Sequence, residues 1–220
     1  MKATIRLTMA QALVRYLAAQ RVDTAEGTVS LFGGVFAIFG HGNVAGVGEA
    51  LYQHRRDLPT YRAHNEQGMA HAAIAYAKAH MRRRMMACTT SIGPGATNLI
   101  TAAATAHVNR LPVLFLPGDI FVSRAPDPVL QQVEHFDAPS VTVNDAFRAV
   151  TRYWDRIVRP EQDGLVVVCK GAVQVTFGVA RIAAVVEGVG GGGASGGAAA
   201  TAGSAHCGLD SGPAFFCFPD

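Results

Sequence analysis

The 220 residues are half hydrophobic and carry a formal net charge of only +3, which fits one α/β domain with a full core. Lysine and arginine form no stripe interleaved with aromatics, so neither composition nor charge points to a nucleic-acid partner. The most apolar late segment, LVVVCKGAVQVTFGVARIAAVV, is interrupted by Lys170 and Arg181, which argues against a membrane span.

In chain order, LTMAQALVRYLAAQ (7–20) has a helical apolar period with Thr8 as N-cap, and is read as the first helix. VFAIF (35–39) reads as a buried strand, followed by the glycine loop FGHGNVAG and a helical stretch VAGVGEALYQHR. PTYRA (59–63) predicts a second strand and EQGMAHAAIAYAKAH a second helix, with Arg82, Arg83 and Arg84 as its solvated end. MMACTT (85–90) is the next strand, and TTSIGPGATN (89–98) is a second glycine loop that opens the helix GATNLITAAATAHV. PVLFLP (112–117) is a further strand. Strands that are apolar throughout, alternating with helices, predict a doubly wound parallel sheet in three layers. In such a sheet the strand-to-helix loops gather at the carboxyl edge, where ligands bind.

Composition then changes. Residues 163–205 include GVGGGGASGGAAATAGSA, which has neither period nor charged face, and are expected to be aberrant or disordered. GPAFFCFPD near the end suggests that 206–220 hold a last strand of the same domain. Cys88, Cys169, Cys207 and Cys217 make no Cys-x-x-Cys pair and stand near no histidine at zinc spacing. Reduced thiols in a cytoplasmic protein are the simple reading.

Two readings compete for the first glycine loop. Gly40, Gly42 and Ala45 have the spacing of a dinucleotide turn, and Glu66 follows Gly46 by 20 residues, as a ribose-binding acid would. Against NAD stand His41 inside the tight turn and the second glycine loop, which together suggest one composite site around Glu66. That glutamate sits at a strand-to-helix junction beside Met69, Ala70, Ala72, Ala73 and Ile74. A carboxylate among small apolar groups loses water and can exchange a proton with a buried heterocycle. An acidic first-turn residue stabilised by the helix dipole is the plainer alternative.

The order of LTMAQALVRYL, a glycine loop, HNEQGMAHAAIAYA and TSIGPGATNLITAAATAHVNRLPVLFLPGD resembles the pyrimidine-binding domain of thiamine diphosphate enzymes, in the acetolactate-synthase-like group. LFGGVFAIFGHGNVAG, LPTYRAHNEQGMAHAAIA and SRAPDPVLQQVEHF resemble more narrowly the members that open a cyclic 1,2-diketone during myo-inositol breakdown. The resemblance covers 5–162 and assigns that domain to 1–162. It implies that Glu66 protonates the aminopyrimidine of the cofactor, whose own amine then deprotonates the thiazolium carbon. It implies that Gly40, His41, Gly42 and Asn43 face the reacting end of the cofactor. Pro94, Gly95 and Asn98 would pack against the pyrimidine, and His41 and Gln131 would approach the substrate. His64 is read as structural, and no metal ligand is assigned. Family members are longer, and hold Mg²⁺ and the diphosphate in a domain with a Gly-Asp-Gly motif. The Gly-Asp of this sequence, Gly118-Asp119, continues with Ile120. The resemblance therefore implies half a site, inert alone and completed by a partner in a homodimer or homotetramer. The alternative is a non-catalytic α/β domain pairing with a full-length subunit.

Overall fold

The computed structural model describes residues 4–120, 130–134, 137–138, 141–157, 172–178 and 183–187. The chain opens with β1 (Thr4–Thr8) and α1 (Met9–Ala19). The Thr8 hydroxyl accepts from the Gln11 N–H at 3.2 Å and the Gln11 amide accepts from the Thr8 N–H at 3.0 Å. This reciprocal cap starts α1 at the expected residue. A hairpin follows, β2 (Arg21–Thr24) and β3 (Gly27–Ser30), then β4 (Phe32–Ile38).

After β4 the chain makes a single turn, α2 (His41–Asn43), a π-helical stretch Val44–Gly48, and α3 (Glu49–Gln53). The sequence predicts one regular helix here. Gly46 and Gly48 supply little side-chain packing, and the backbone widens to π geometry before α3. Next come β5 (Thr60–Tyr61), α4 (Glu66–Ala79), β6 (Met85–Thr90), α5 (Pro94–Thr97), α6 (Ile100–Val108) and β7 (Val113–Asp119). The helix predicted over 95–108 is thus divided at Asn98-Leu99. A 3₁₀ helix spans Val143–Ala149, followed by β8 (Tyr153–Ile157), β9 (Ala172–Gly178) and β10 (Ala183–Glu187).

Six strands form one sheet in the order β5-β4-β6-β7-β9-β8, and every neighbouring pair is parallel. Alternate residues of the central strands feed two cores. Met85 and Ala87 of β6 and Leu114 and Leu116 of β7 pack with Leu13, Val14 and Leu17 of α1 and Leu51 of α3. Met86, Cys88, Val113 and Phe115 pack on the other face with Met69 and Ala73 of α4 and Ala102, Ala103 and Ala106 of α6. All of β6 and β7 is buried, as a sheet covered on both faces requires. The three-layer α/β architecture is the one the sequence implies.

Within 163–205, expected to be without order, β9 lies between β7 and β8, and β10 pairs antiparallel with β1. The rest of that segment and the proposed last strand in 206–220 lie outside the described residues. Arg82 and Arg83 are exposed beyond α4, while Arg84 donates from Nε to the Ser30 carbonyl at 2.9 Å.

Candidate functional site

Because the sheet is parallel, the ends of β4, β5, β6 and β7 all reach one edge. Gly40 follows β4, Glu66 follows β5, Ser91 follows β6, and Asp119 closes β7. Residues dispersed over 80 positions of sequence therefore share one rim.

Glu66 is the first residue of α4. Asn65 caps that helix, its side-chain oxygen accepting from the Gly68 N–H at 2.6 Å. The cap fixes the direction in which the Glu66 side chain leaves the backbone. Glu66 is half-buried, and its Oε2 accepts from Nδ2 of Asn98 at 2.8 Å. Asn98 ends the single turn α5, which Pro94 begins. Gly95, inside that turn, is buried. A methyl group there would stand 3.1 Å from Oε1 of Glu66 and collide with the Ser91 hydroxyl. The carboxylate thus lies against a bare backbone surface.

Gly93 has φ +68°, the left-handed region, and added carbon there would overlap the carbonyl oxygen of Gln131. Gln131, itself at φ +65°, crosses over this glycine, and its Oε1 comes within 3.7 Å of where a Gly40 methyl would sit. The predicted substrate residue Gln131 thus touches both glycine loops.

A small cleft opens beside this arm, lined by Gly40, His41, Gly42, Asn43, Ser91, Ile92, Gly118, Asp119, Ile120 and Gln132. His41 is exposed at its mouth. Asn43 is buried, and its Nδ2 donates to the Thr90 carbonyl at 2.9 Å, joining the β4 and β6 loops. Glu66 is not among the cleft residues. Ser91 connects the two groups, since it lines the cleft, packs on Gly40 and touches Gly95. Pro94 is exposed, as is His64; a buried structural role for His64 is not what the fold gives it.

Sequence reasoning assigned no role to Ser91 or Asp119. Ser91 was detectable as the residue between an all-buried strand and a glycine loop. Asp119 was not, because its partner is 37 residues away: Arg156 of β8 donates from Nε to Asp119 Oδ2 at 2.7 Å. Asp119 Oδ1 accepts from the Ile120 N–H at 2.8 Å. Its side chain is 0% exposed, against 20% for Arg156. Burial raises the Asp119 carboxyl from 3.8 to about 6, although Arg156 pulls it the other way. Among the described residues no group of three or more His, Cys, Asp or Glu could hold a metal ion. No helix among them is long and apolar enough to cross a membrane.

Residues 7–139 match the family described as "Thiamine pyrophosphate enzyme, N-terminal TPP binding domain". The chain belongs to this thiamine pyrophosphate enzyme family. Over 159 residues it is 57% identical to the 3D-(3,5/4)-trihydroxycyclohexane-1,2-dione hydrolases of Listeria innocua and Geobacillus thermodenitrificans. It is 55% identical over the same length to that hydrolase from Bacillus cereus. Each match takes in 72% of this chain and 25% of the relative, so the chain spans about a quarter of the length of the curated relatives it matches. The matched residues include the glycine loop FGHGNVAG.

The site residues fit the pyrimidine end of thiamine diphosphate. A carboxylate at the sheet edge is hydrogen-bonded on one oxygen and faces the Cβ-free surface of Gly95 with the other. A flat heterocycle needs such a side-chain-free approach and one acid–base partner.

Proposed function

We propose that this chain is the pyrimidine-binding part of a thiamine diphosphate-dependent hydrolase acting on a carbon–carbon bond. Its substrate would be trihydroxycyclohexane-1,2-dione, opened to 5-deoxy-glucuronate in myo-inositol breakdown in the cytoplasm. Glu66, with Oε2 tied to Asn98 and Oε1 against Gly95, is the observation that carries this reading. Bound thiamine diphosphate supplies the nucleophilic carbon and the electron sink for cleavage.

The chain's own groups bind, orient and move protons. Glu66 exchanges a proton with the aminopyrimidine ring nitrogen. Gly95 and Pro94 form the surface on which the ring lies. His41, exposed at the cleft mouth, is placed to exchange protons with the substrate, and Gln131 offers an amide from the arm above both glycine loops. Net ring opening breaks the bond between the two carbonyl carbons and consumes one water. One carbon leaves as a carboxylate and the other takes a proton and becomes an aldehyde, so no oxidant is needed. Mg²⁺ and the diphosphate would be held by residues outside this sequence, contributed within a homodimer or homotetramer.

The test is calorimetric titration with thiamine diphosphate and Mg²⁺, with and without a full-length relative, and with NAD as control. Thiamine binding that needs the relative and is lost in Glu66→Gln supports a half-site completed by a partner. NAD binding without thiamine binding would overturn the reading.

A further inference from the structure

The two oxygens of Glu66 have different surroundings. Oε2 holds the Nδ2 hydrogen bond of Asn98 at 2.8 Å. Oε1 faces Gly95, where an added methyl would stand 3.1 Å away. Asn98 is itself fixed in place, since its backbone N–H donates to the Pro94 carbonyl at 3.1 Å and closes α5.

Resting on the reading above, we propose that Asn98 is a positioning residue that anchors Oε2 of Glu66 and leaves Oε1 as the oxygen that exchanges the proton with an aminopyrimidine ring nitrogen. A proton placed on Oε2 would meet the Asn98 N–H, donor against donor, so the carboxyl proton resides on Oε1. The amide has no proton to give near neutral pH and does not compete in the exchange. Residue type matters here. A lysine or arginine at the same place would also orient the carboxylate, but it would hold the charge and oppose protonation. A neutral donor fixes direction while leaving the acid free to cycle. It also removes the rotamer freedom of a three-torsion side chain at the helix start.

The first test needs no ligand. In nuclear magnetic resonance of the whole chain, the Asn98 side-chain amide signals should move as pH is carried from about 4 to about 8, the range in which carboxylates and histidines change charge. In Glu66→Gln they should stay fixed. His64, exposed two residues before Glu66, is present in both proteins, so the comparison removes its effect. Fixed signals in the unmodified chain overturn the proposal.

The second test titrates thiamine diphosphate and Mg²⁺, with a full-length relative present and the relative alone subtracted, into the unmodified chain, Asn98→Ala and Asn98→Asp. Loss of a hydrogen bond to a charged group predicts about ten-fold weaker binding in Asn98→Ala at both about pH 5 and about pH 8. Asn98→Asp should match Asn98→Ala at the higher pH, where two carboxylates repel, and recover at the lower, where a protonated aspartate can donate to Oε2. An aspartate variant that follows the alanine variant at both pH values means a merely structural role and overturns the proposal. Amide signals that track Glu66 without any thiamine binding keep Asn98 as anchor and overturn the ring-nitrogen assignment. That last result separates failure of the inference from failure of the functional reading.

Discussion

Replacing Asp119 by asparagine should change how stability depends on pH, more than it changes stability at any one pH. The Asp119 carboxyl is raised from 3.8 to about 6 by burial at the end of β7, with Arg156 offsetting only part of the loss of water. A carboxyl whose folded value lies above its unfolded value binds its proton more tightly when folded. Its contribution is therefore fully favourable below about pH 4 and is lost as pH rises through about 6. At 1.36 kcal/mol for each pH unit, the rise from 3.8 to about 6 corresponds to about 3 kcal/mol. Asparagine keeps the shape but only one acceptor, so either Arg156 Nε or the Ile120 N–H loses its partner, a cost that does not vary with pH, and it cannot ionise. Arg156, 20% exposed, reaches water when its anion is removed. The assay is urea denaturation of both proteins at several values between about pH 4 and about pH 7.5, with the difference in unfolding free energy plotted against pH. Carboxylates elsewhere cancel in that difference. The variant should gain about 3 kcal/mol relative to the unmodified chain across the window. Parallel stability curves would refute the account, because they would mean that Asp119 has the same proton affinity folded and unfolded.

Gly93→Ala combines a left-handed backbone with overlap on the Gln131 carbonyl, so we expect a loss of about 3 kcal/mol, read as a fall in the urea midpoint. An unchanged midpoint would mean that the arm carrying Gln131 does not rest on this loop. Cys88 is fully buried in the α4–α6 core, and burial pushes its thiol far above the usual range. Peptide mapping after treatment with a thiol reagent should find Cys88 unlabelled in the native chain and labelled in denaturant. Native labelling at a rate like that of the denatured chain would contradict the packing of β6.

What the sequence made legible follows physical periodicity. β6 is found at its observed bounds because every residue of MMACTT is buried, Met85 to Cys88 alternating between the two cores. α1 begins where expected because Thr8 and Gln11 cap each other locally. The π-helical stretch Val44–Gly48 was hidden, since glycines at 46 and 48 fit a regular helix and a widened one equally well. The loop FGHGNVAG remained open between two ligands because close backbone approach requires glycine for either. Glu66 could be singled out at its strand-to-helix junction. Its orientation could not, since Asn98 is 32 residues away and the distance closes only when β6 lies beside β4. Asp119 is a stronger case of the same limit. Nothing in Gly118-Asp119-Ile120 announces an arginine that arrives from β8, across β9.

The sheet ends at one side in β5, a strand of just two residues, Thr60–Tyr61, paired to Val35 and Phe36. So short a border leaves few free amides and carbonyls on which a second molecule could extend the sheet. At the opposite border, β8 carries Asp155 and Arg156, charges that resist being buried by an incoming strand. Among the described residues, extension of the six-stranded sheet by a second molecule is therefore disfavoured at both of its borders.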